Sequence, residues 1–242
     1  MTRKGHTILE IKDLTMAFGG IYALQRLDLR IEEGQIIGLI GPNGAGKTTL
    51  INCITGVYKP IKGEIIFNGQ SVTSFRPHQI CRIGIGRTFQ IPRPFSNMTI
   101  IENLKVCACR GSVDYQDLLS LTGLWEKRDH FAKNLTFQER RHLELSRALA
   151  VKPRLLLLDE IVAGLNPYET LEMMALIKKI HNELPITILW IEHVMKVIME
   201  SANTVVVLHQ GTKIAEGNPR EIANDKKIIE AYLGEEYRFA EA

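Results

Sequence analysis

The sequence predicts an α/β protein in three parts: a parallel-sheet core, an antiparallel β-rich front and a helical insertion. Residues 7–32 alternate and turn like paired strands, as TILEIKDLTMAF, Gly19-Gly20 and IYALQRLDLRIEEG. QIIGLIG follows as a short apolar run of buried-strand type, and a helix is expected from Lys47 to about Thr55, stopped by Gly56. GEIIFNGQSV reads as a second β pair around an Asn68-Gly69 turn. From about residue 75 to 150 the pattern is helical, interrupted by GIGRTFQIPRPFSNM, an expected irregular connection with two prolines. Beyond it, LLLLDE, PYETLEMMALIKKIHNEL, ITILWIEH, VMKVIMESA and TVVVLHQ read as strand, helix, strand, helix, strand. Such alternation implies parallel β-α-β units wound into one sheet.

The 242 residues, 45% hydrophobic and 24% charged, suit a globular chain with a full core. A net charge of +3 is too small to argue for nucleic acid or for a polybasic membrane anchor. No run approaches the ~18 continuous apolar residues of a membrane span. MTRKGHTILEIKD has basic residues but no apolar stretch, so no secretory signal is expected. Cys53, Cys81, Cys107 and Cys109 are too few and too irregular for a disulfide framework or a paired zinc site. They read as reduced thiols of a cytoplasmic protein.

GPNGAGKT, residues 41–48, fits G-x-x-x-x-G-K-[ST] between a buried strand and a helix. Glycines let several amide N–H groups turn inward at phosphate, and the helix N-terminus adds positive potential. Gly41, Pro42, Asn43, Gly44, Ala45, Gly46, Lys47, Thr48 and the adjoining Thr49 are therefore candidate nucleotide-binding residues. Lys47 supplies a compact charge and the Thr48 hydroxyl a ligand for Mg2+. LLLLDE supplies the complement, because an acidic residue ending an apolar strand faces the ligand crevice of an open parallel sheet. Asp159 is expected to help hold Mg2+ and Glu160 to polarise an attacking water. Together these motifs define a P-loop nucleoside-triphosphatase core.

Four further elements narrow the class: Phe18 before Gly19-Gly20, Gln90 in RTFQIPRPF, LTFQERRHLELSRALA, and His193 in ITILWIEH. In that order and spacing they resemble the ATP-binding subunit of ABC transporters over essentially the whole chain. FGGIYAL, GIGRTFQIPRPFSNMTIIENL, DEIVAGLNP, IEHVMKVIM and IIEAYLGEE resemble most the branched-chain amino acid importer subgroup. The resemblance implies an ABC ATPase fold: one nucleotide-binding domain over 1–242, with a helical subdomain at about 75–150. It also implies Mg-dependent ATP hydrolysis coupled to transport. Phe18 would stack on adenine, although it also fits as a core residue. Gln90 would reach Mg2+ and the attacking water, and His193 the γ-phosphate. Asn166 would help join two subunits, a role compatible with capping a helix ahead of Pro167.

The same resemblance marks a departure. Where relatives carry Ser-Gly-Gly-Gln, this chain has Thr136, Phe137, Gln138 and Glu139. Thr136 keeps the hydroxyl and Glu139 is a mild change. Gln138 places a side chain where a backbone N–H would approach the γ-phosphate held by an opposite subunit, and a positive φ there would be disfavoured. The expected assembly is peripheral at the cytoplasmic face of a membrane. It comprises transmembrane permease subunits, a related second ATPase subunit in preference to a second copy, and indirectly a solute-binding protein, without nucleic acid. An alternative is the ATPase subunit of a lipopolysaccharide-type exporter, whose relatives share the LGE-plus-aromatic ending. The FGG and RTFQIPRPF segments favour the importer.

Overall fold

Twelve-residue alternation builds the first two strands, β1 (Thr7–Phe18) and β2 (Ile21–Glu32). They are followed by β3 (Ile36–Ile40), α1 (Lys47–Ile54), β4 (Lys62–Phe67) and β5 (Gln70–Ser71). Next come α2 (Pro77–Ile83), β6 (Ile85–Arg87), α3 (Ile100–Cys107), α4 (Tyr115–Leu121) and α5 (Phe137–Ala150). The chain continues through β7 (Leu155–Asp159), α6 (Pro167–Glu183), β8 (Thr187–Ile191), α7 (Met195–Ser201), β9 (Thr204–His209), β10 (Thr212–Gly217) and α8 (Pro219–Asn224). This computed structural model describes residues 6–225; IIEAYLGEE lies outside them. The chain divides into two units, Met1–Ser74 with Trp190–Ala242, and Phe75–Leu189, the division falling inside β8.

The first unit holds a four-stranded sheet in the order β2-β1-β4-β5. β1 pairs antiparallel with both β2 and β4; Leu27, Leu29 and Ile31 are buried at alternate positions, and a register shift brings Leu24 into the core as well. Asn68 and Gly69, with φ of 49° and 76°, make the left-handed turn that brings Phe67 opposite Gln70. The unit also holds β10-β9-β3, with β3 parallel to β9 and β9 antiparallel to β10. α7 packs directly on β3 at Gly38, where a Cβ would lie 2.2 Å from Ile198 Cγ2.

The second unit carries β8-β7-β6, with β6 parallel to β7. Its helices enclose a core of Ile100, Leu104, Leu119, Leu124, Leu135 and Leu143. The fully buried Asn103 locks the end of the proline-containing connection: its amide donates to Phe95 O at 3.1 Å and Thr99 O at 2.9 Å, and its Oδ1 accepts from Phe95 N at 2.8 Å.

The structure corrects one expectation and adds two elements. Residues 85–87 form β6, so the connection read as irregular begins with a strand and the 75–150 stretch is not wholly helical. After β9 the chain turns at Gln210-Gly211 into β10 and α8, neither of which the periodicity revealed.

The tight approach at Gly38 sets a stability test. Gly38→Ala forces a methyl into Ile198 and is expected to destabilise the protein by about 1–3 kcal/mol. Thermal unfolding measures this, and the double substitution Gly38→Ala/Ile198→Ala is expected to lose less than the two single losses added.

Candidate active site

In the first unit, β3 delivers the phosphate loop. Gly41 and Gly46 allow the chain to touch its neighbours: a Cβ at Gly41 would sit 2.2 Å from Leu208 O, and one at Gly46 2.5 Å from Ala23 O. Gly46, at φ 103°, is the N-cap of α1. Three main-chain bonds hold the turn: Ala45 N to Pro42 O at 3.1 Å, Gly211 N to Ala45 O at 3.0 Å, and Gln25 N to Gly211 O at 2.8 Å. The β9–β10 turn, absent from the sequence reading, is thus a support of the loop. Lys47 is 6% exposed, and its ammonium donates to Gly41 O at 2.6 Å and Pro42 O at 3.0 Å, curling back over the loop it follows. Thr48 is exposed and Thr49 half-buried at the first turn of α1, where main-chain N–H groups have no partner within the helix. Phe18 stands edge-on to Tyr58, ring centroids 5.1 Å apart, and stays 44% exposed, so it is not a core residue. His193 is exposed just after β8, its Nδ1 4.0 Å from the fully buried Glu192 carboxylate.

In the second unit the register of β6 on β7 decides the acidic end. Arg87 lies opposite Leu157, so its side chain shares a face with Asp159 two residues on, and guanidinium and carboxylate meet at 2.9 Å. Asp159 N donates to Thr88 Oγ1 at 3.1 Å. Glu160 leaves the strand at φ 49°, a left-handed conformation, and accepts the Gln90 amide at 2.6 Å. Gln90 and Glu160, 70 residues apart, are therefore brought together.

The Thr136–Glu139 segment is fully integrated. Thr136 caps α5: its hydroxyl accepts from Glu139 N, and the Glu139 carboxylate accepts from Thr136 N at 2.9 Å. Burial pushes the Glu139 carboxyl up, but bonds from Lys127 and Thr136 outweigh it and hold the group below its ordinary range. The Phe137 ring packs on Gly164, within 3.0 Å of where a Cβ would be, with the Arg141 guanidinium 5.2 Å from its centroid. Gln138 donates to Glu172 of α6 at 2.8 Å. It lies in the helix and is not among the positive-φ residues, so the feared backbone strain is absent. Asn166 caps α6, accepting from Glu169 N at 2.9 Å, which leaves the capping reading intact.

Two residues escaped the sequence reading. Arg141, 3% exposed, donates to Gln90 O at 2.8 Å and Ala163 O at 2.7 Å. Glu144, one turn on, accepts from Phe89 N and pairs with Arg147 at 3.0 Å, while burial raises its carboxyl above the usual range despite both partners. The i, i+3 spacing of opposite charges was visible, but in FQERRHLELSR it looks like a solvated face.

A glycine cradle with a buried lysine, and an acidic strand end with a glutamine on its second carboxylate, suit binding and hydrolysis of a nucleoside triphosphate. Residues 24–163 match the family model described as ABC transporter, more than half of the chain. The chain belongs to the ABC transporter family, as one of its ATP-hydrolysing ATP-binding cassettes. Within that family, residues 212–238 match the model described as branched-chain amino acid ATP-binding cassette transporter.

The chain is 40% identical over 250 residues to the high-affinity branched-chain amino acid transport ATP-binding protein BraF of Pseudomonas aeruginosa, covering 94% of this chain and 98% of BraF. To the lipopolysaccharide export system ATP-binding protein LptB of Acidithiobacillus ferridurans it is 30% identical over 238 residues, covering 96% and 98%. The crystal structure of the ADP conformation of MJ1267, an ATP-binding cassette of an ABC transporter, matches with a TM-score of 0.85 at 29% identity, covering 95% of this chain and 99% of that one.

Because Arg141 holds two carbonyls beside the acidic pair, Arg141→Ala is expected to loosen residues 88–92 and 161–165. Each charge-assisted bond lost costs roughly 1.5–3 kcal/mol. Amide hydrogen exchange should rise in both segments together, with much smaller change in α4.

Proposed function

We propose that this chain is the ATP-hydrolysing subunit of an importer for branched-chain or related amino acids, acting through separate membrane permeases. The observation that carries the reading is the 40% identity to BraF across nearly both whole chains. The match of residues 212–238 to the branched-chain amino acid model points the same way. A lipopolysaccharide-type exporter is the second reading, supported by the likeness to LptB at 30%. The 242 residues then work as one nucleotide-binding domain whose helical part lies at about 75–150. Among the described residues no helix is long and apolar enough to cross a membrane, which fits a peripheral subunit at the cytoplasmic face.

In this reading Phe18 offers its exposed ring to adenine, and main-chain N–H groups of residues 43–49 face the phosphates with Lys47 beside them. Glu160 takes the role of polarising water, aided by His193 at the γ-phosphate. The donor set suits Mg2+: a Thr48 hydroxyl, an Asp159 carboxylate and the Gln90 amide oxygen, whose nitrogen is already directed at Glu160, are all hard oxygen ligands. Mg2+ bound there would neutralise charge on the β- and γ-phosphates.

Thr136, Gln138 and Asn166 would meet the nucleotide held by an opposite subunit. There the Gln138–Glu172 bond adds bulk and a carboxylate beside a helix N-terminus that should attract phosphate. A partner ATPase carrying small residues at that position would repair one of two sites, so a related heteromer is favoured, with a solute-binding protein acting upstream of the permeases.

Lys47→Ala is expected to weaken ATP binding at least tenfold, whereas Glu160→Gln keeps binding and loses roughly two or more decades of hydrolysis. Equilibrium binding and phosphate release on purified protein test both, and unchanged values in the two variants would sink the assignment.

Gln138→Gly probes the asymmetry. Regaining one charge-assisted contact of about 1.5–3 kcal/mol should raise the homomeric rate by roughly one to two decades. A fast wild-type homodimer with little gain from the substitution would show Gln138 to be harmless.

A further inference from the structure

The second unit contains a thiol pair that the nucleotide chemistry does not use. Cys81, in the last turn of α2, and Cys109, just beyond α3, are 28 residues apart in sequence, yet their sulfurs lie 3.3 Å from each other. Both are free, with Cys109 exposed and Cys81 half-buried. The neighbouring residue fixes this proximity. Arg110 crosses Gly84, where its Nη1 would be 2.3 Å from a Cβ, and donates to Lys152 O at 2.9 Å. The segment after α3 is thus docked on the end of α2, and a glycine at 84 makes the docking possible.

We propose that Cys81 and Cys109 form an oxidation site that closes reversibly into a disulfide inside one subunit. Moving the sulfurs from 3.3 Å to the roughly 2.0 Å of a disulfide requires only a small shift of an exposed residue outside any helix. The exposed Cys109 meets the oxidant first. Burial, with Cys109 and Cys107 close by, pushes the Cys81 thiol up to about 12 despite Arg110, so Cys81 waits as a neutral thiol. With hydrogen peroxide as oxidant, Cys109 sulfur takes one oxygen to become a sulfenic acid and the other leaves as water. Cys81 sulfur then attacks Cys109 sulfur; its proton joins the departing hydroxide as a second water. Two thiols are oxidised and one peroxide is reduced. The ring so closed contains β6, Gln90 and the proline-containing connection, so oxidation restricts the segment that carries the glutamine on Glu160. That last consequence rests on the function proposed above; the cross-link does not.

The test is hydrogen peroxide treatment of the purified protein, followed by thiol titration under denaturing conditions and mass spectrometry of tryptic peptides. Reactive thiols should fall from four to two, with a peptide pair joined through Cys81 and Cys109 that separates on reduction. Cys81→Ser and Cys109→Ser should each abolish the pair. ATP turnover should fall at least twofold in the oxidised wild type, recover on reduction, and stay unchanged in peroxide-treated Cys109→Ser. Four free thiols, a Cys107–Cys109 link, or only links between subunits would overturn the site. A complete cross-link with unchanged turnover would overturn the restriction of Gln90 while leaving the ATPase assignment standing.

Discussion

A single guanidinium organises the second unit. Arg141 sits one turn inside α5, where its burial would be costly without several oxygen partners. It finds them in the carbonyls of Gln90 and Ala163, and it lies over the Phe137 ring. Three segments distant in sequence converge on it: the connection after β6, the turn after β7, and the start of α5. The Gln90–Glu160 bond depends on this convergence, because both residues belong to irregular stretches that have no ladder of their own to hold them. Glu144 completes the arrangement by taking the Phe89 N–H from the same helix.

The unusual Thr-Phe-Gln-Glu segment reads differently once its partners are known. Thr136 and Glu139 form a reciprocal cap, Phe137 fills the space over Gly164, and Gln138 reaches Glu172. Phe137 and Gly164 are complementary, since a side chain at 164 would meet the ring. The segment is therefore held by definite contacts within its own unit, whatever it meets on an opposite subunit.

Features with long periods or strict geometry were legible in the sequence. Twelve-residue strands alternate long enough to declare themselves, and a glycine-rich loop between an apolar run and a helix has few other uses. LLLLDE placed the acidic pair correctly at a strand end. β6 escaped because three residues carry no period, and its pairing is fixed by β7, some 70 residues away. β10 escaped because it has no buried residue along its six positions. Arg141 and the Cys81–Cys109 pair escaped for a common reason: what distinguishes them is who lies opposite, which composition does not encode.

Glu160 has a further consequence. A non-glycine residue in the left-handed region costs roughly 1–2 kcal/mol, and this one sits at φ 49° directly after a strand buried along its whole length. Selection for stability alone would replace it with glycine, which adopts that geometry freely. The chain thus sits below its own attainable stability at the residue whose carboxylate faces Gln90. Stabilising substitutions chosen to relax unfavourable backbone first would therefore remove the carboxylate that holds Gln90 before they touched any other contact of this turn.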